Sequence, residues 1–277
     1  MTNKTLYIFV SCCMEESRFE IMQQVIASIK KEQFDKSFNI ENDLIVFDNG
    51  SKYPGAIELL TNSFKNVYAA DQNLGYWSAL SWILDNANKI KNKEYKYVYI
   101  IESDHLHFAL EKVEICENAL EKFNHLGSIR TQEYSVAEQH LYNKSLQRSD
   151  GRRYAWVSHV NAATNEKVVL EKLTDDIYES NFLTCLHSVN RLDCIKDTFN
   201  ALKSLNKFSE LDFQKMYHAK YPKIGQLDGG IFHARLGFTI ENPKSLSGSW
   251  STNVSQFGYH TTRQDVIRHY SCVNLIT

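Results

Sequence analysis

The stretch YKYVYIIESDHLHF, Tyr95 to Phe108, runs from β-branched and aromatic residues into two carboxylates and two imidazoles, Glu102, Asp104, His105 and His107. Carboxylates at i and i+2 where a strand runs out can present oxygens to one small, hard cation. Such sites usually complete their shell with substrate phosphates, so Mg²⁺ or Mn²⁺ is the expected ion. Glu102 and Asp104 have this spacing. His105 and His107 read as packing or hydrogen-bonding residues.

Polar residues also collect where other apolar runs stop. Glu15 and Glu16 follow TLYIFVSCC, Asp48, Asn49, Gly50 and Ser51 close DLIVFDNGS, and Asp71 and Asn73 follow NVYAA. Acid or amide at four successive strand ends suits a phosphate-bearing ligand held with a cation. The glycine-rich fingerprints G-x-G-x-x-G and G-x-x-x-x-G-K-[ST] are missing, so a diphosphate would need that cation for neutralisation. Plainer readings stand beside these: Asp48 to Ser51 is also an ordinary turn, and Asn73 with Gly75 also suits a helix cap. Arg152 and Arg153 fit a solvated loop or a loop that closes on a diphosphate.

The elements that position these residues alternate at a steady spacing, the mark of βαβ units and a mainly parallel sheet. TLYIFVSCC is the first strand. Ser17 and Glu20 predict a capping box for a helix faced by Phe19, Met22, Ile26 and Ile29. After the strand DLIVFDNGS, Pro54 suits the first turn of a helix carrying Ile57, Leu60 and Phe64. NVYAAD is a third strand, Trp77, Leu80, Leu84 and Ala87 face the next helix, and the run before Glu102 is the fourth strand. Val113, Cys116, Leu120 and Phe123 then share a helical face. Between about Gly127 and Asn181 the pattern loosens, with YAWVSHV strand-like. NFLTCLHSV predicts a strand, followed by a helix capped at Asn190 and a second opening at Ser209. KIGQLDGGIFHARLGFTI predicts strands around Gly229 and Gly230. Open parallel sheets gather ligands at the carboxyl ends of their strands, where the polar residues above fall.

The ordered landmarks IVFDNGS, DQNLGYWSAL and YVYIIESDH resemble those of GT-A-fold glycosyltransferases, most of all the large inverting family of bacterial polysaccharide and cellulose synthases. The resemblance covers the first 110 residues or so well and the rest loosely. It implies an α/β fold, a Rossmann-like, mainly parallel sheet sandwiched by helices, as one domain over 1–277. Residues 1–108 would bind a nucleotide-sugar, and 109–277 would form a loop-rich acceptor half and tail. Asp48 would contact the base, with Asn49 and Ser51 beside it, Asn73 and Gly75 would match the Asn-x-Gly segment, and Glu102-Ser103-Asp104 the Asp-x-Asp metal motif. His233 would turn toward diphosphate or metal. For the base, the resemblance offers Glu210 in SELDF, with Asp212 and Asp228 as rivals; Asp212 also suits a capping box with Ser209. The sequence departs at SCCMEE, where the family shows a Pro-Thr-Tyr-Asn type of turn, and in the leading Glu of the metal motif. A UDP-sugar donor and a carbohydrate or glycolipid acceptor are implied.

Composition sets outer bounds. The 277 residues are 43% hydrophobic and 12% aromatic, enough for a full core. Lys plus Arg (31) nearly balances Asp plus Glu (33), giving a formal charge of -2 and none of the basic field that nucleic-acid binders use. Six scattered cysteines without a Cys-x-x-Cys pair read as reduced cytosolic thiols. No apolar run is long enough to span a membrane, so a cytoplasmic protein with at most peripheral membrane contact is expected. A nucleotidyltransferase, a metal-dependent hydrolase built on Glu102, Asp104, His105, His107 and His260, and an inactive nucleotide-sugar-binding protein remain alternatives.

Overall fold

The computed structural model describes residues 4–36, 38–132, 166, 169–181, 186–205, 210–234 and 273–276. Arg152, Arg153, YAWVSHV, Ser209, His260 and the LGFTI end of the last predicted strand lie outside the described residues.

The first hundred residues alternate as their patterning predicts. They form β1 (Thr5–Ser11), α1 (Glu16–Asp35), β2 (Leu44–Asp48), α2 (Ala56–Ser63), β3 (Val67–Ala70), α3 (Tyr76–Lys91) and β4 (Tyr97–Glu102). There follow β5 (His105–His107), α4 (Val113–Lys122), β6 (Ser128–Arg130), β7 (Leu170–Lys172), β8 (Ile177–Ser180) and β9 (Ser188–Arg191). The last described elements are α5 (Leu192–Leu205), α6 (Glu210–Lys220), β10 (Ile224–Leu227), β11 (Phe232–Ala234) and β12 (Val273–Ile276). Among the described residues ten strands make one sheet in the order β12-β3-β2-β1-β4-β9-β6-β10-β8-β7, and β11 pairs with β5 in a separate ribbon. Strands β1, β2, β3, β4, β6, β7 and β10 run one way. Antiparallel pairing turns β8, β9 and β12 the other way.

Every residue of β1 is buried, because alternate side chains enter two different cores. Tyr7, Phe9, Val46, Tyr99 and Ile101 pack on one side with Met22 and Val25 of α1, Leu60 of α2 and Leu120 of α4. Leu6, Ile8, Phe47, Val98 and Ile100 pack on the other with Leu80 of α3, Ile195 of α5 and Phe213 of α6. Burial of each large aliphatic side chain contributes roughly 1.5–3 kcal/mol. Helices on both faces leave the sheet's carboxyl edge as the place where loops meet.

Three local expectations are corrected. Helix α1 begins at Glu16 after an extended Glu15 that makes no side-chain cap bond, so Ser17 stands inside the first turn instead of at the cap. Pro54 precedes α2, because the chain first turns through Gly55 at φ 80°, a left-handed conformation suited to glycine. Asn190 lies within β9, where it pairs with Val98 on one side and Ser128 on the other, so it cannot cap α5.

Candidate functional site

Three loops are tied together at the carboxyl edge of β1, β2 and β3. The Asp48 carboxylate is fully buried. It accepts bonds from the Ser11 hydroxyl at 2.9 Å, the Ser51 backbone N–H at 2.9 Å and the Ser51 hydroxyl. Burial raises its pKa, and these donors work against that rise. Ser51 Oγ in turn accepts the Cys13 N–H at 2.7 Å, linking the end of β2 to the end of β1. The structure thus places Asp48 under the loop, where its bonds account for the turn geometry.

Asn49 and Asn73 join the next pair of loops. Asn49 Nδ2 donates to Asn73 Oδ1 at 3.0 Å, and Asn49 Oδ1 accepts the Leu74 N–H at 2.9 Å. Asn73 Oδ1 also accepts the Gly75 N–H at 2.7 Å. Gly75, just before α3, sits at φ 79° and ψ 152°, a region open essentially to glycine alone. Gly50 is required twice over: its φ is +74°, and a Cβ there would lie 2.3 Å from the Gln72 carbonyl carbon. The residues of the two expected loop motifs therefore form one hydrogen-bonded platform.

Beside this platform, β4 ends in the acidic motif. Glu102 Oε1 accepts the Tyr76 hydroxyl at 2.6 Å, from the first residue of α3, and lies 3.0 Å from His187 Nε2. His187 reaches the site because β9 runs antiparallel to β4, which brings the residue before β9 level with the end of β4. The Glu102 N–H donates to His105 Nδ1 at 3.2 Å, and the His105 ring stacks on Phe232 of β11 with centroids 4.0 Å apart. Donor atoms of Glu102, His105 and His187 all lie within 4.8 Å of one another, the one such grouping found among the described residues.

Asp104 is buried next to this group, with Oδ1 3.8 Å from His105 Nε2 and Oδ2 3.9 Å from Arg18 of α1. Burial pushes its carboxyl up, Glu102's charge adds to that, and Arg18 opposes it. Burial would also raise Glu102, but electrostatic attraction to His187 and its hydrogen bond outweigh it and hold Glu102 below the usual carboxylate range. Two adjacent acids are thus pushed apart, one toward the anion and one toward the proton. Burial and His187 together drive His105 well below the usual imidazole range.

The remaining expected residues are distributed unevenly. His107 Nε2 meets the Tyr99 hydroxyl at 3.2 Å, and the His107 backbone N–H donates to the Ser28 hydroxyl, in keeping with a packing role. His233 pairs through its backbone with Leu106; its side chain lies outside what is described. Glu210 opens α6 and Asp212 lies in its first turn; the Glu210 side chain is likewise not described. Phe213 packs on Trp77 with ring centroids 5.7 Å apart, which sets the start of α6 against the start of α3, next to Tyr76. Asp228 follows β10, three positions from β4 in the sheet, roughly 14 Å at about 4.8 Å per strand. Its N–H donates to the Asp176 carbonyl and its Oδ1 accepts the Gly229 N–H.

Sequence reasoning missed His187, Tyr76 and Arg18. Tyr76 was legible in principle, since it follows the Asn-x-Gly segment directly. His187 carried no local signal, being 85 residues from Glu102 and brought close by strand pairing.

No protein-family model matches the sequence, and no curated protein matches it. Solved structures overlap it at low identity. For S. aureus TarS 1–349, identity is 14%, covering 83% of this chain and 59% of that one at a TM-score of 0.46. The same protein in complex with UDP-GlcNAc gives 16%, 83%, 57% and 0.47. Glucosyl-3-phosphoglycerate synthase from Mycobacterium tuberculosis, in complex with Mg²⁺ and uridine-diphosphate, gives 12%, 94%, 81% and 0.43. This chain spans less than two thirds of the length of the TarS chains.

Proposed function

We propose that this chain is a GT-A-type glycosyltransferase that moves a sugar from a nucleoside diphosphate donor to a hydroxyl of a carbohydrate or glycolipid acceptor. The observation that carries the reading is the meeting of the Asn49–Asn73–Gly75 platform with the Glu102-Ser103-Asp104 strand end on one edge of an α/β sheet. Open α/β sheets bind ligands at that edge. A UDP-sugar is the donor to try first, on the strength of the motif resemblance, which also favours an inverting outcome and a single domain.

The donor set bears on the cation such an enzyme would use. One carboxylate and two imidazoles fit a divalent ion that accepts nitrogen as well as oxygen, which describes Mn²⁺ better than Mg²⁺. Glu102, His105 and His187 would hold it, with Asp104 adjacent. Its charge would stabilise a departing diphosphate. The platform would seat the nucleotide, and an acid at the start of α6 would take the proton of the acceptor hydroxyl.

Among the described residues no helix is long and apolar enough to cross a membrane. We place the reaction in the cytoplasm, where nucleotide-sugars are made.

A panel of UDP- and GDP-sugars with Mn²⁺ and simple glycan acceptors, read by mass spectrometry, tests the reading. A glycosylated acceptor and free nucleoside diphosphate are expected. Release of free sugar without transfer would favour a metal-dependent hydrolase, which two imidazoles beside Glu102 also suit. Binding without turnover would indicate an inactive nucleotide-sugar-binding protein.

A further inference from the structure

We infer that Glu102, His105 and His187 form a cation site in their own right, selective for a borderline transition-metal ion of the Zn²⁺ or Co²⁺ type over Mg²⁺, and competent without nucleotide. Three segments far apart in sequence converge there: the end of β4, the start of β5 and the loop before β9. Ligands bound to Zn²⁺ at about 2.0–2.2 Å in a tetrahedral shell stand roughly 3.3 Å apart. Glu102 Oε1 and His187 Nε2, at 3.0 Å, already stand near that separation, and the whole set lies within 4.8 Å. A bound cation would replace the proton that His187 Nε2 and Glu102 share, releasing it to solvent, and small movements would bring the three donors to bonding distance.

The surroundings hold the donors in place. Tyr76 fixes the Glu102 carboxylate, Phe232 stacks on one face of His105, and the His187 ring stands edge-on to His105 with centroids 4.6 Å apart. Asp104 Oδ1, 3.8 Å from His105 Nε2, is the nearest further oxygen. Donor chemistry decides the ion. Mg²⁺ demands oxygen and keeps its waters, whereas imidazole suits Zn²⁺ and its neighbours, whose affinities rise along the divalent series from Mn²⁺. The pair of acids expected from the motif alone predicts the opposite preference. These are the residues to which the transferase reading gives its cation; the inference concerns their ion preference without nucleotide and does not rest on transfer, so either can fail alone.

The test uses tag-free, chelator-stripped protein without nucleotide. Co²⁺ titration should give the intense visible bands of a low-symmetry site, and Zn²⁺ should compete with Co²⁺ at least ~10-fold better than Mn²⁺ and Mg²⁺ do. His187→Ala, at a side chain 30% exposed, should weaken Co²⁺ binding about 10- to 100-fold or more while far-UV circular dichroism stays unchanged. His125→Ala removes an exposed imidazole 2.6 Å from Glu179 and should leave binding as in the parent. X-ray absorption of the Zn²⁺-loaded parent needs no variant and should show two imidazole nitrogens. An all-oxygen shell, equal competition by Mg²⁺, no Co²⁺ binding, or parental Co²⁺ binding by His187→Ala would each overturn the inference.

Discussion

Asn49 and Asn73, on loops that follow different strands, are joined by a 3.0 Å bond, and Gly50 packs its α-carbon onto the backbone beside Asn73. This contact sets the height of the platform relative to Glu102. Gly50→Ala should lower stability by about 1–3 kcal/mol from its left-handed φ alone, with a further loss from the 2.3 Å approach to Gln72. Urea denaturation measures it. A parental midpoint would show that the two loops are not locked together.

Asp48 separates two roles. If its carboxylate serves the turn, Asp48→Ala strips the acceptor from Ser11 and from two Ser51 donors, at about 1–3 kcal/mol for each buried group left unsatisfied. Nucleotide preference among the surviving folded molecules should then change little. A stable variant that no longer distinguishes UDP from GDP would instead show that Asp48 contacts the base.

Asp104→Asn should raise stability at neutral pH. Burial first, and Glu102's charge second, lift the folded-state pKa of Asp104, so the ionised carboxylate destabilises the folded chain. Below about pH 4, near the unfolded value, both states are protonated and the variant should match the parent. The gain should grow as pH rises through the lifted value and stay at higher pH. Melting temperatures of both proteins between pH 4 and 8 check the sign. A variant less stable than the parent at pH 7 would mean that Asp104 is favoured in its charged form.

The first four strands were legible because their turn residues and alternating helices leave few arrangements. The second half was less so, for a physical reason. Strand β9 is buried on both faces, so SVNR carries no pattern that fixes its direction. Yet that direction decides the site: antiparallel insertion between β4 and β6 delivers His187 to Glu102. Asn190 misled because an Asn before an amphipathic helix reads as a cap, while two-sided pairing of its backbone prevailed. The Glu-x-Asp motif was visible in sequence with His105 beside it, read there as a packing or hydrogen-bonding residue; His187 had nothing local to place it with them.

Tyr76→Phe should uncouple Glu102 from α3. The hydroxyl donates to Oε1 at 2.6 Å, and a hydrogen bond to a charged group contributes about 1.5–3 kcal/mol. Because Glu102 is held below the usual range, its contribution is present above its ordinary pKa and lost as pH falls through the folded-state value. The difference between parent and variant should therefore be full at pH 7 and shrink in acid. A difference that is constant with pH would show that the hydroxyl serves something other than the ionised Glu102 carboxylate.

The start of α6 is the last point at which fold and chemistry meet. Phe213 packs on Trp77, beside the Tyr76 that bonds Glu102, so the start of α6 lies against the start of α3, which is where the proposed base is sought. Asp228 stands three strands from β4 and is engaged by its own turn. Glu210→Gln should therefore lower kcat by about 10²- to 10⁴-fold with donor affinity nearly unchanged, the loss typical of a positioned base. Asp228→Asn should stay within a few-fold of the parent. Asp212→Asn is the internal comparison, because it shares the turn and any dependence of α6 on first-turn charge. Transfer rate measured beside donor affinity for all three decides the matter: near-parental transfer by Glu210→Gln with a large loss in Asp212→Asn moves the base two residues along the helix. A large loss confined to Asp228→Asn moves it across the sheet and removes the start of α6 from the reaction.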